Sequence, residues 1–351
     1  DIRGTMAAMG LRRLLQMAPP AAVLVGGIAS GVQVARAEQF GMFKSFFSKI
    51  FTGWGEERKG RGLTSEEKEF LQENGYLVIR GFTSKSTCQR LRDRIGMLID
   101  QFDPESSTSV FTTHEAKRQY QDKYFLESGD KIRFFWEEDA FASDGKTLQY
   151  PKRDCINKVG HALHTRDEIF RDYAVNLQSV ARDIGLKQAI PIQSMYICKS
   201  PRTGGEVGPH QDSTFLYTDP PSVHGLWLSI DSADTENGCL WVVPKSQSTP
   251  IQKRFVRHKT DENTIGLQMV NHTKTLESLP MEGGIPLPTE AGDLVIIHGQ
   301  LIHWSRENSS KKPRHALMVH VVDGSCAWSP SNWLQYEDGQ QAFPTFDKLK
   351  A

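Results

Sequence analysis

Apolar and polar positions follow first a helical pattern and then a strand pattern along the chain. Thr64 to Glu67 has the order of a helix-capping box, and residues 84–102 carry apolar side chains at intervals of three and four. Between these two segments, residues 75–82 form a β-rich run bounded by glycines. The pattern predicts a helix, a strand and a second helix leading into the core, and helical spacing returns at 167–184.

Residues 190–323 contain mostly short apolar runs separated by Gly, Pro, Asn and Asp. The runs most typical of strands are 190–199, 223–230, 239–243, 294–297 and 315–322. Two earlier runs, 123–126 and 131–136, are also predicted to be strands, joined by a turn at 128–130. The prediction is a mainly β fold with flanking helices (α+β), in which antiparallel sheets form a sandwich or barrel. A jelly roll, the cupin-like double-stranded β-helix, is such a fold and can hold a metal near its mouth.

The N-terminal region has a different composition from the rest. Residues 6–37 include no acidic residue, Arg12 and Arg13 precede an uncharged run at 18–35, and Ala35-Arg36-Ala37 resembles a cleavage site. We predict a targeting segment at 1–37, a linker at 38–62 and a folded domain at 63–351. A secretory signal, an organelle transit peptide and a membrane anchor are the alternatives, and glycines that dilute the apolar run disfavour the anchor. The expected address is the mitochondrion or the secretory pathway, or the cytoplasm if the segment is not functional, and weak membrane association through this region is a further alternative.

The balance of charged residues narrows the classes of molecule that this protein is expected to bind. The 351 residues include 42 Lys and Arg and 42 Asp and Glu, so no net charge attracts the protein to nucleic acid. We therefore expect a small-molecule substrate, no nucleic-acid partner, and a monomer. The five cysteines are scattered without a Cys-x-x-Cys pair, which predicts reduced core thiols.

The candidate chemistry centres on residues 208–212. His210 and Asp212 are two residues apart, so on an extended strand both side chains would face one metal ion. A third ligand could come from His298 or His303, which lie on opposite faces of a strand because they are five residues apart. Two histidines and one carboxylate with open positions form the ligand set of non-haem iron(II) oxygenases. An isolated His-x-Asp is a weak signal, and the surrounding residues must support it.

Four ordered segments provide that support. Residues 193–197, 209–217, 236–241 and 298–314 resemble the phytanoyl-CoA dioxygenase family, and in particular its branch of domain-containing proteins. The resemblance extends from about residue 63 to residue 335 and excludes the N-terminal region. It implies a jelly-roll fold, an iron(II) centre, and 2-oxoglutarate and dioxygen as co-substrates, with ascorbate as a candidate reductant.

The resemblance also implies roles for individual residues. The family's metal ligands correspond to His210, Asp212 and His303, and its contacts to 2-oxoglutarate correspond to Lys158, Met195, Trp227 and Arg314. The pattern after His303 matches that after the family's third ligand, so we choose His303 over His298. One departure is Gln247, where family members commonly have histidine; it bears on loop shape and substrate preference.

The implied reaction is oxidation of 2-oxoglutarate to succinate and carbon dioxide, coupled to hydroxylation of a small, partly apolar substrate. An acyl-CoA 2-hydroxylase is one alternative, for which a basic loop at 253–259 is the candidate nucleotide contact. A second alternative is a hydrolase or isomerase that holds zinc or manganese. Lys158 and Arg314 disfavour it, because such an enzyme does not need two cations to bind a dicarboxylic acid. A non-catalytic binding jelly roll is the third, which the intact ligand set disfavours.

Overall fold

The computed structural model describes residues 62–111, 122–261, 264–272, 279–335 and 343–350. The predicted targeting segment at 1–37 and all but the last residue of the predicted linker lie outside these ranges. Within them, no helix is both long and apolar enough to cross a membrane.

The helices are α1 (Ser65–Asn74), α2 (Lys85–Gln101), α3 (Lys123–Leu126), α4 (Lys152–Cys155), α5 (Leu163–Arg166), α6 (Glu168–Asn176), α7 (Gln178–Asp183) and α8 (Phe346–Leu349). The strands are β1 (Tyr76–Ile79), β2 (Ile132–Trp136), β3 (Ile156–His161), β4 (Ala189–Ile197), β5 (Val207–His210), β6 (Thr218–Asp219), β7 (His224–Ser229), β8 (Leu240–Val242), β9 (Lys253–Lys259), β10 (Ile265–Asn271), β11 (Ile285–Leu287), β12 (Leu294–His298), β13 (His303–Ser305), β14 (Ala316–Asp323) and β15 (Ala327–Trp328).

The predicted capping box at Thr64–Glu67 is present in the structure. The Thr64 side chain accepts from the backbone N–H of Glu67, and the Glu67 carboxylate accepts from the backbone N–H of Thr64, which completes the capping box of α1. The helix ends at Gly75, whose φ of 77° is left-handed. Strand β1 follows, and the Ser84 side chain then caps α2.

Two antiparallel sheets of the described residues face each other. The major sheet has the order β1-β12-β7-β14-β4-β3-β2, and the minor sheet has the order β11-β8-β13-β5. The outer face of the major sheet packs against helices through residues such as Leu226 and Val319, which share a core with Leu91 and Ile95 of α2. Its inner face meets the minor sheet in a second core that includes Trp227. The predicted α+β jelly roll is confirmed, and the space between its sheets is where the site forms.

Two local predictions are wrong. Residues 123–126 form a single helical turn rather than a strand, because the Asp122 side chain accepts from the N–H of Phe125 and starts a helix. The basic residues at 253–259 lie on strand β9, which pairs with β10, rather than in a loop. Four cysteines are buried thiols as predicted, whereas Cys326 is half-buried.

The close packing around Gly75, at the end of α1, can be tested by substitution. A Cβ at Gly75 would lie 2.5 Å from Gln247 Oε1 and 2.8 Å from Leu301 Cδ1, whereas a Cβ at Gly81, whose φ is also positive, would meet nothing within 4 Å. Alanine in the left-handed region costs roughly 1–2 kcal/mol, so Gly81→Ala should lower the free energy of unfolding by about that amount. We expect Gly75→Ala to cost measurably more in urea unfolding, because its methyl group also crowds two neighbours. Equal losses for the two variants would contradict this packing.

Candidate metal centre

Strand pairing in the minor sheet brings two histidines together. His303 on β13 lies opposite His210 on β5, and the register between these strands shifts immediately after His303. The two ring centroids are 4.2 Å apart. Each Nδ1 lies near a carbonyl two residues earlier, 2.9 Å from Gly208 O for His210 and 3.0 Å from Leu301 O for His303. Because a carbonyl only accepts, each Nδ1 carries the proton, and each Nε2 keeps its lone pair for a metal ion.

Asp212 completes the group, although not by the strand geometry expected from sequence. Strand β5 ends at His210, and Asp212 begins a short 3-10 turn at Asp212–Thr214. Its Oδ1 nevertheless lies 3.5 Å from His210 Nε2 and 3.6 Å from His303 Nε2. One ligand atom from each of the three residues lies within 4.8 Å of the others. The predicted residues therefore converge, but alternation along a strand is not the reason.

The charges of this group suit a divalent cation. Burial alone would raise the pKa of Asp212, but the nearby imidazoles of His303, His320 and His210 hold it well below its ordinary value. Burial lowers the pKa of His303 to about 4, so its imidazole is neutral at pH 7. An ionised carboxylate beside a neutral imidazole is the protonation state that a metal ion requires.

Arg314 is a buried cation with unused donors. Only 2% of Arg314 is exposed, and its Nη2 donates to Ser305 Oγ at 3.1 Å. Its Nε and Nη1 are buried without a hydrogen-bond partner in the described part of the chain. The guanidinium lies 5.6 Å from the ring centroid of Trp227. Burial lowers its pKa to about 10, so it stays charged at pH 7. An anion bound here would satisfy two orphaned donors at once.

Lys158 is a second buried cation, on the neighbouring part of the inner face. Its Nζ lies 3.9 Å from Met195 Sδ and 3.3 Å from the ring centroid of Phe111. Burial holds its pKa well below the ordinary value. Across the major sheet, Met195 pairs with Met318, and Met318 pairs with Trp227. The four residues that the family resemblance implied for 2-oxoglutarate thus form two pairs, Lys158 with Met195 and Arg314 with Trp227, joined by this row.

His298 is separated from the metal group. It lies opposite His224 in the β12–β7 pair, with ring centroids 4.9 Å apart. Its Nδ1 accepts from the backbone N–H of Gln300 at 3.1 Å. His298 does not belong to the group of ligand atoms that His210, Asp212 and His303 form.

Comparison with known proteins identifies the family. The family model for phytanoyl-CoA dioxygenase matches residues 71–316. The chain is 44% identical over 276 residues to phytanoyl-CoA dioxygenase 1 of Oryza sativa subsp. japonica, covering 78% of this chain and 94% of that protein. The chain belongs to the phytanoyl-CoA dioxygenase family. It is also 42% identical over 284 residues to phytanoyl-CoA dioxygenase domain-containing protein 1 of Mus musculus, covering 78% of this chain and 95% of that protein. Membership makes this chain an oxidoreductase of the dioxygenase class.

A solved structure supports the assignment of this fold. The non-haem epimerase SnoN, in complex with Fe³⁺, α-ketoglutarate and nogalamycin RO, matches with a TM-score of 0.54 at 14% identity, covering 80% of this chain and 91% of that chain. At this identity the similarity concerns the jelly-roll fold.

The departure at Gln247 has a local explanation. Gln247 Nε2 donates to the carbonyls of Gln72 and Glu73 at 3.0 and 3.1 Å. These carbonyls belong to the last turn of α1, so Gln247 ties the loop after β8 to the end of that helix. A role in loop shape therefore fits its contacts.

Two residues beside the predicted site, Ser305 and His320, were not predicted from the sequence. Ser305 accepts from Arg314, and His320 Nε2 lies 3.2 Å from Asp212 Oδ2. His320 had a signal, because it is a polar residue inside an apolar run that continues on both sides. Ser305 follows His303 by two residues on a strand, so its position on the same face could have been predicted from alternation.

Proposed function

We propose that this protein is an iron(II)- and 2-oxoglutarate-dependent dioxygenase that converts 2-oxoglutarate to succinate and carbon dioxide while it hydroxylates a small, partly apolar substrate. The observation that carries the proposal is the pairing of the His210, Asp212 and His303 group with a buried, incompletely bonded Arg314. Two imidazoles and one carboxylate favour iron(II) with open positions. A planar guanidinium suits the far carboxylate of a dicarboxylic acid.

The donor set fits the implied cofactors. The Nδ1 bonds of both histidines orient their Nε2 atoms toward Asp212, so the imidazoles need no reorientation to bind a metal. A metal held by His210, Asp212 and His303 would accept two oxygens of the 2-oxo acid as a chelate and would supply the site for dioxygen activation. Arg314 would hold the distal carboxylate, and an anion near Lys158 Nζ would offset the desolvation that lowers the lysine pKa. Trp227 and Met318, both buried, would exclude water from the co-substrate.

Aromatic residues beside the metal group favour an apolar part in the substrate. The ring of Phe215 is 6.1 Å from that of His210 and 5.8 Å from that of Phe255. Phe255 in turn packs with Phe125, which packs with Trp333. Such a wall would orient a hydrocarbon substituent toward the metal and keep water away.

The contacts of β9 disfavour an acyl-CoA substrate. Arg254 Nη2 donates to Asn332 Oδ1 at 2.8 Å, and its guanidinium stacks 3.9 Å from the ring centroid of Tyr217. Arg257 Nε donates to Trp333 O at 2.6 Å. Both arginines thus hold the C-terminal segment against β9. The strand keeps only part of the basic surface that a nucleotide phosphate would need.

The test is turnover by the purified full chain. With iron(II), 2-oxoglutarate and dioxygen we expect slow succinate and carbon dioxide formation, which a metabolite extract should stimulate. Phytanoyl-CoA should stimulate it little or not at all. Absence of 2-oxoglutarate consumption under all three conditions would refute the proposed function. A hydroxyacyl-CoA product formed in equal amount with succinate would instead support the acyl-CoA 2-hydroxylase alternative.

A further inference from the structure

The two oxygens of Asp212 face different partners. Oδ1 faces His210 and His303 of the minor sheet at 3.5 and 3.6 Å. Oδ2 lies 3.2 Å from His320 Nε2 of the major sheet. Oδ2 and His320 Nε2 are both buried, and neither forms a hydrogen bond of good geometry among the described residues, so the 3.2 Å contact joins two otherwise unsatisfied polar atoms. A buried carboxylate oxygen needs a donor, and the imidazole of His320 can supply one at 3.2 Å.

The fold places His320 at this point by two features. His320 on β14 pairs with Gly225 on β7 and Gln193 on β4, and the β14–β4 register shifts directly after His320. Such irregularities re-aim side chains and are frequent beside active sites. In addition, a Cβ at Gly225 would lie only 3.2 Å from Asp212 Oδ2. The absence of a side chain at Gly225 leaves room for the carboxylate next to the His320 ring.

Electrostatics decides which ring nitrogen of His320 carries the proton. A neutral imidazole has one N–H and one lone pair. A lone pair at Nε2 would face the charged carboxylate oxygen at 3.2 Å, so two acceptors would repel each other in a buried site. A proton at Nε2 turns that repulsion into a charge-assisted hydrogen bond. The Nε2–H tautomer is therefore the stable one beside Asp212.

We propose that His320 is a positioning residue for the metal centre: its Nε2–H donates to Asp212 Oδ2 and so keeps Oδ1 directed at the metal between His210 and His303. The inference rests on the proposed function only in that the three-residue group must bind a divalent metal ion. His320 is not a fourth ligand in this arrangement, because its Nε2 faces Oδ2 and His320 lies outside the ligand group. Partners that orient metal ligands in this way typically contribute about 10- to 100-fold in metal affinity.

The experiment titrates the metal-free full chain with cobalt(II), followed by visible absorption, without co-substrate. His320→Leu keeps apolar bulk without a donor, and we expect it to raise the cobalt dissociation constant about 10- to 100-fold. His320→Gln carries an amide N–H with similar reach and should recover most of that affinity. His164→Gln is the matched control, since His164 is an equally buried histidine whose Nδ1 contacts Ser194 Oγ rather than Asp212; its cobalt affinity should match that of the parent.

The other possible results of the cobalt titration would each contradict a specific part of the proposal. Unchanged affinity in His320→Leu, or equally weak binding in the leucine and glutamine variants, would overturn the hydrogen bond. Complete loss of binding in His320→Leu, as in Asp212→Ala, would also overturn it by making His320 a ligand. If near-ultraviolet circular dichroism shows that His320→Leu is unfolded, His320→Asn replaces it, because its shorter amide falls short of Oδ2. A parent protein that does not bind cobalt would instead indicate failure of the proposed function.

Discussion

Replacing Asp212 or His303 by alanine is expected to abolish iron-dependent turnover of 2-oxoglutarate, whereas replacing His298 should leave substantial activity. Asp212 and His303 each contribute one of the three converging ligand atoms, and His298 instead pairs with His224. Residues that orient a metal ligand contribute about 10- to 100-fold to metal affinity. Loss of the ligand itself should weaken metal binding by more than that. Succinate formation and bound iron, measured on the same preparations, would separate lost metal from lost chemistry.

His298→Ala is the matched control for His303→Ala, because both histidines lie in the same short stretch of chain. His298 is half-buried and His303 is buried, so melting temperatures of both variants are needed to exclude unfolding. Activity that survives in His303→Ala but not in His298→Ala would remove His303 from the ligand set.

Arg314→Ala should weaken 2-oxoglutarate binding while iron still binds. Hydrogen bonds to a charged group contribute about 1.5–3 kcal/mol, which corresponds to about 10- to 150-fold in the dissociation constant. The unpartnered Nε and Nη1 of Arg314 are the donors that the distal carboxylate would use. Calorimetric titration of the metal-loaded protein with 2-oxoglutarate under anaerobic conditions measures the effect.

Arg254→Ala is the matched control for Arg314→Ala. Both are buried arginines that lie near an aromatic ring and donate one hydrogen bond to a side chain, Ser305 for Arg314 and Asn332 for Arg254. Arg254→Ala should leave the affinity for 2-oxoglutarate unchanged. Comparable losses in both variants, or none in Arg314→Ala, would refute the assignment of the distal carboxylate to Arg314.

The periodicity of apolar residues predicted much of the fold, and it gave the wrong element where local side-chain contacts or strand pairing decide the structure. The helix after Thr64 and the strands around Trp227 and Met318 follow from caps and apolar runs. The turn at Lys123–Leu126 was mistaken for a strand because four apolar-rich residues have no clear period, and the Asp122 cap decides the outcome. Strand β9 was mistaken for a loop because its basic residues hid the pairing with β10.

The candidate site was predictable in its residues but not in its geometry. The spacing of His210 and Asp212 pointed to one metal, yet Asp212 lies in a 3-10 turn, so strand alternation does not bring them together. His303 was chosen from the family pattern, and its position opposite His210 depends on pairing between distant strands. His320 was missed because only the contact between the two sheets places it beside Asp212.

The most direct test of the proposed chemistry is an anaerobic titration of the iron(II)-loaded protein with 2-oxoglutarate, followed by the visible charge-transfer absorption of the chelate. We predict a saturable band with one equivalent of 2-oxoglutarate per iron, absent in Asp212→Ala and shifted to higher 2-oxoglutarate concentration in Arg314→Ala. A protein that binds iron(II) without developing this band, or that develops it equally in Asp212→Ala, would contradict the account.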